Sequence, residues 1–159
     1  MAEMPDNRKP LMGTDEATID DKGRILIAKK KRERLGEPFV LAVGTVGCLT
    51  AYPQHIWDTM YAEIDRYGGI NQGREHYTRL LLGTMEDDLA FDSQGRVVIP
   101  HKLRELFQLG GKVLVVGCGN RLEIWAKPEW EKYMQFPDTY GEKRREAIAR
   151  AYDQMVGRP

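Results

Sequence analysis

The stretch Asp20–Ile27, DDKGRILI, returns seventy-two positions later as Asp92–Ile99, DSQGRVVI. The match continues downstream. Arg32 and Glu33 recur as Arg104 and Glu105, and after one inserted residue Val43-Gly44 recurs as Val116-Gly117. Leu49 then recurs as Leu122, Tyr52 as Trp125 and Trp57 as Trp130. Each copy reads strand, tight turn, strand, short helix, strand, Gly turn, strand, helix. A unit this short cannot cover both faces of its own sheet, so the two copies are expected to pair around one shared core.

The local chemistry of a copy is legible. In LAFDSQGRVVI a strand meets a turn with Asp at its start, where the carboxylate can accept turn N–H groups, and Gly near its end, where positive φ costs no steric strain. Arg opens the outgoing strand. IPHKLRELF places Pro at the first turn of a short helix and Leu103, Leu106 and Phe107 on one face. KVLVVG and LEIW read as strands joined by a tight CGN turn. Between the copies, Ile56, Met60, Ile64 and Tyr67 form a helical stripe that Gly68-Gly69 ends, and GREHYTRLLLG predicts another helix. A helix near Glu129–Met134 and a charged C-terminal helix with Ile148, Tyr152 and Met155 follow.

A chain of 159 residues suffices for one compact domain or two small lobes on one core. No apolar run approaches the roughly 18 residues of a membrane span. The polar N-terminus MAEMPDNRKP lacks an apolar signal core, so a cytoplasmic protein is expected. Cys48 and Cys118 stand alone, as do His55, His76 and His101; these spacings offer no metal constellation, and no cofactor is expected. Formal net charge is zero but segregated: residues 22–34 carry seven bases against one acid, whereas residues 35–88 carry three bases against eight acids. A phosphate meets the local field rather than the total.

DDKGR with DSQGR, VIPHKLREL, GTVGCLTAYP, and GCGNRLEIW with the following Trp130 together resemble the MraZ family of bacterial transcriptional regulators, over roughly residues 13–135. The resemblance implies an α+β fold of two tandem AbrB-like swapped-hairpin β units, forming a pseudo-twofold barrel-like core with flanking helices. The expected division is a disordered tail over 1–12, a first repeat with trailing helix over 13–67, a connecting segment and helix over 68–82, a second repeat over 83–137 and a C-terminal helix and tail over 138–159. The resemblance further implies a ring-shaped homo-oligomer, associated with the nucleoid. Such a ring binds short direct repeats of double-stranded DNA in the promoter of the division and cell-wall gene cluster, usually as a repressor. The family's Asp-x-x-x-Arg motif falls on Asp20 with Arg24 and Asp92 with Arg96. An Arg at a hairpin edge can reach a phosphate or fork onto a guanine edge, which is why the motif could serve. Lys22, Lys29, Lys30, Lys31, Arg32, Lys102 and Arg104 complete the candidate DNA-binding set.

The first copy departs from the second at one helix. Ala28, Lys31 and Arg34 stand where the second has Pro100, Leu103 and Leu106, leaving Leu35 as the evident anchor of AKKKRERLG. Two readings follow: a frayed phosphate-binding arm of Lys29, Lys30, Lys31, Arg32 and Arg34, or an ordinary solvated helix face. Competing functions are a ring scaffold that holds a protein partner and an antitoxin-like AbrB-fold protein. An enzyme is not expected, nor a small-molecule substrate. Asp20/Asp21 and Asp87/Asp88 are adjacent pairs whose side chains diverge in a strand, LGGKV is no P-loop, and GCGNR lacks the dinucleotide fingerprint.

Overall fold

The computed structural model describes residues 8–159. The first copy contributes β1 (Thr14–Ile19), β2 (Arg24–Leu26), α1 (Lys29–Leu35), β3 (Phe39–Val43), β4 (Leu49–Pro53) and α2 (Gln54–Asp65). Helix α3 (Gln72–Leu81) and a 3-10 turn (Leu82–Thr84) lead into the second. That copy repeats the order as β5 (Glu86–Leu89), β6 (Arg96–Val98), α4 (His101–Leu106), β7 (Gly111–Gly117), β8 (Leu122–Ala126) and α5 (Lys127–Gln135), and α6 (Glu142–Val156) ends the chain's regular structure. The architecture is mixed α+β.

The strands form a six-stranded antiparallel sheet, in the order β1-β7-β8-β4-β3-β5, and a separate two-stranded ribbon of β2 with β6. Replacing each strand by its counterpart reverses the order and leaves it unchanged. Copies therefore meet at four places: β1 with β7, β3 with β5, β4 with β8, and β2 with β6, where Ile25 opposes Val97. Among the described residues the hydrogen bonding does not close into the barrel expected from the sequence. The sheet ends at β1 and β5, and the ribbon covers its inner face through side chains instead.

Period-two alternation explains the core. Ile25, Ile27, Val97 and Ile99 point inward from the ribbon and its exits, and meet Phe39, Leu41, Leu49, Val113, Val115, Leu122 and Ile124 of the sheet in one buried cluster. A smaller cluster on the other face has Trp125 at its centre, with Trp130 and Tyr133 of α5 and Tyr140 around it at ring spacings of 5.1–5.6 Å. Tyr140 donates to Glu129 at 3.2 Å, and burial together with that carboxylate pushes its pKa up to about 12. Helix α6 packs on α3, where Asn71 Nδ2 donates to the Met155 carbonyl at 2.9 Å and Tyr77 meets Tyr152 edge-on. Arg144 Nε donates to the Gly44 carbonyl at 2.9 Å, tying α6 to the β3–β4 turn.

Three expectations are corrected here. Residues 1–7 of the expected tail lie outside the described residues, but Leu11 is no part of a loose tail: it is 1% exposed and exchanges two backbone hydrogen bonds with Gly119. Leu106 does not anchor α4, being 58% exposed; Leu103 and Phe107 do. And α1 is neither an arm nor a fully solvated face. Lys31, the counterpart of Leu103, is 5% exposed, with Nζ 2.5 Å from Asp15 Oδ2 and 3.3 Å from the Val115 carbonyl. Its four-carbon stem fills the anchor position while its ammonium finds partners on β1 and β7.

This arrangement sets the cost of changing it. Lys31→Leu restores the apolar anchor and leaves Asp15, whose side chain is 49% exposed, in water. It should therefore be neutral or stabilising by up to about 2 kcal/mol, whereas Lys31→Ala should cost about 2 kcal/mol through lost packing. Urea unfolding of the two variants beside the parent measures both.

Candidate nucleic-acid interface

Each repeated phrase folds into the same turn. Asp20 Oδ1 accepts the Lys22 and Arg24 N–H groups at 3.0 and 2.8 Å, and its Oδ2 accepts Arg24 Nε at 2.7 Å. Asp92 does likewise for Gln94 and Arg96, both at 2.9 Å, and for Arg96 Nε at 2.8 Å. One carboxylate thus closes the turn with one oxygen and orients the arginine with the other. The terminal nitrogens of both guanidinium forks are left without a hydrogen-bond partner among the described residues. Both arginine side chains are 28% exposed, so the two copies present equivalent groups.

The turns are locked by the opposite copy. Ile99 N–H donates to the Gly23 carbonyl at 2.8 Å and Ile27 N–H to the Gly95 carbonyl at 3.1 Å. Arg104 lies over Gly23 and Arg32 over Gly95; a Cβ at Gly23 would sit 2.7 Å from Arg104 Nε, and one at Gly95 would fall inside the Arg32 guanidinium. Both glycines also have φ near +80°, at +80° and +81°, which side chains rarely adopt. Arg32 Nη1 donates to the Ile27 carbonyl, and Arg104 Nε to that of Ile99 at 3.0 Å.

These contacts sort the expected residues. Asp20, Arg24, Asp92 and Arg96 come together on the β2–β6 ribbon, with Lys22 exposed at one turn tip. Lys29 and Lys30 on α1 and Lys102 on α4 are exposed beside it. Lys31 is removed from the set by its burial against Asp15, and a phosphate cannot reach it. Arg32 and Arg104 are half-buried clamps whose first task is to hold the turns. Arg34 is tied to the Pro10 carbonyl at 2.8 Å. A groove of about 580 Å³ beside the ribbon has Asp15 and Glu16 in its wall together with Lys29 and Arg32, so its charge is mixed.

The alternation that buries Ile25 and Val97 also turns Leu26 and Val98 outward, at 56% and 55% exposure, onto the face that carries Arg24 and Arg96. Sequence reasoning missed these two residues. The signal was present in ILI and VVI, where the middle residue must point away from a core that takes its neighbours. Burial pushes the pKa of Cys48 up, and that of Cys118 to about 11, which keeps both thiols protonated. Among the described residues no group of three or more His, Cys, Asp or Glu could hold a metal, and no helix is long and apolar enough to cross a membrane.

Comparison with known proteins agrees with the duplicated frame. A family model described as "MraZ protein, putative antitoxin-like" matches twice, over residues 11–79 and 81–151. A "Transcriptional regulator MraZ" from Thermoanaerobacter sp. (strain X514) is 40% identical over 129 residues, covering 80% of this chain and 89% of that protein. Proteins of the same name from Oenococcus oeni and Carboxydothermus hydrogenoformans are each 38% identical over 123 residues, covering 77% of this chain and 85% of each.

The turns carry a definite pH signature. Backbone N–H bonds from Arg24 and Arg96, then their side chains, hold the Asp20 and Asp92 carboxyls below the ordinary value of 3.8. A group depressed on folding stabilises the fold fully above its unfolded pKa and ceases to as pH falls through the folded one. The Lys22, Arg24, Gln94 and Arg96 amide resonances should therefore hold their positions as pH falls from 7 and move only below the range in which an ordinary aspartate titrates. An NMR pH titration reads this directly.

Proposed function

The chain belongs to the MraZ family, and from that premise we propose that it is a DNA-binding transcriptional regulator that reads promoter repeats through its two arginine-tipped hairpins. The observation that carries the reading is the matched pair of turns, in which Asp20 and Asp92 hold Arg24 and Arg96 by Nε and leave each fork's far end for a ligand. A fork held in this way loses little freedom on engaging a phosphate or a guanine edge. Lys22, Lys29, Lys30 and Lys102 would contribute phosphate contacts around it. The copy-to-copy pairing of β2 with β6 supports reading each half as an AbrB-like swapped hairpin, divided near residues 13–67 and 83–137. This is a binding protein and not an enzyme, acting in the cytoplasm at the nucleoid.

One ribbon offers only two forks, which is little affinity for a genome-wide search. We therefore take the acting form to be a ring homo-oligomer that sets successive ribbons on successive direct repeats, since rotationally related subunits present one polarity in turn. The natural target is the promoter of the division and cell-wall cluster, including its own gene, with repression as the outcome. The antitoxin wording of the family description supports a second reading, in which a partner protein occupies the same surface.

The test is anisotropy titration with the duplex directly upstream of the chain's own reading frame. Affinity should fall steeply with salt, by about 0.9 in log–log slope per phosphate neutralised. Arg24→Ala and Arg96→Ala should each cost about 1–3 kcal/mol where the fork is bidentate, and Lys31→Leu should leave binding unchanged. Parent-like binding by both arginine variants would remove the assignment, and indifference of the parent to this DNA would favour the protein partner.

A further inference from the structure

Resting on the regulator reading above, we infer that Leu26 and Val98 are specificity residues that contact thymine methyl groups in the major groove. The ribbon register is Arg24 opposite Val98, Ile25 opposite Val97 and Leu26 opposite Arg96. Ile25 and Val97 are buried, at 0% and 3% exposure, so the four remaining side chains share the outer face. They form a two-by-two block with the arginines on one diagonal and the aliphatic residues on the other. Leucine and valine at 56% and 55% exposure lie outside the buried cluster, which takes the residues between them.

The block has the dimensions of a groove reader. A two-stranded ribbon fits the major groove, which is about 12 Å wide. Residues i and i+2 on a strand lie about 6.8 Å apart, close to two base steps of about 3.4 Å. Arg24 and Leu26 on one strand, and Arg96 and Val98 on the other, can therefore address bases two steps apart. The thymine methyl is the one apolar group that the major groove displays, whereas guanine offers the acceptors that an arginine fork matches. The open fork ends flanking the aliphatic pair make duplex DNA, which offers acceptors beside methyl groups, the occupant that suits the whole block. Leucine and valine also differ in reach, so a ribbon with matched arginines is not blind to its direction along the duplex.

Deoxyuridine provides the test, because it pairs like thymine and lacks the methyl. The promoter duplex is compared with copies in which every thymine inside the repeats, or only those outside them, is replaced, using the parent and the Leu26→Ala/Val98→Ala double variant. The parent should lose about fourfold per contacted methyl for replacement inside the repeats and nothing for replacement outside. The double variant should bind the normal duplex more weakly and be indifferent to the replacement. Parent binding that stays salt-sensitive and Arg24-dependent but ignores deoxyuridine overturns this inference and leaves the regulator reading in place. Full deoxyuridine sensitivity retained by the double variant overturns it as well. So does a double variant whose only change is in assembled mass by sedimentation, which would make the aliphatic pair a subunit contact. Failure of the parent to bind any of these duplexes removes both readings together.

Discussion

The structure depends on an exchange between the two copies at the ribbon. Each turn lends its glycine carbonyl to the strand leaving the other copy's turn, and each short helix returns an arginine over the other copy's glycine. Neither turn is complete on its own. A side chain at Gly23 or Gly95 would collide with a partner drawn from the other copy, so the demand for glycine comes from the assembled core as much as from the turn. The same exchange brings Ile25, Ile27, Val97 and Ile99 into one layer against the sheet. Folding of the ribbon and closure of the core are therefore one event.

That coupling explains the division of labour among the arginines. Two pairs occupy equivalent places, and their hydrogen bonds assign them different work. Arg32 and Arg104 spend a donor on the carbonyls of Ile27 and Ile99 and lie flat against the opposing turn. Arg24 and Arg96 are held at Nε by an aspartate on their own turn. The first pair makes a rigid platform and the second stands on it. Rigid placement matters for reading a groove, because a fork already aimed gives up less entropy when it binds.

Local features were readable from the chain, and long-range ones were not. The Asp-x-x-Gly-Arg turns and the strand alternation follow from neighbours within a few residues, and the structure has them; the helix expected to run through Tyr67 to Gly68-Gly69 instead ends at Asp65. The duplication also implied that the copies meet. What one dimension conceals is a partner at a distance. Five bases in AKKKRERLG look like a solvated or frayed face, yet Lys31 turns inward because Asp15 and the Val115 carbonyl wait on β1 and β7. Arg32 and Arg104 look like phosphate contacts until the opposing glycine is in view. Helical spacing groups Leu106 with Leu103 and Phe107, yet the core takes only the i, i+4 pair Leu103 and Phe107 and leaves Leu106 in solvent.

The unlike anchors of α1 and α4 have a consequence for how such a molecule can change over time. Two separate identical subunits would carry any substitution twice, once on each side of their axis. Here both sides are written in one continuous polymer, so residue 31 can be lysine while residue 103 is leucine. Covalent linkage thus frees each side to vary alone, and two halves related by a rotation can be told apart.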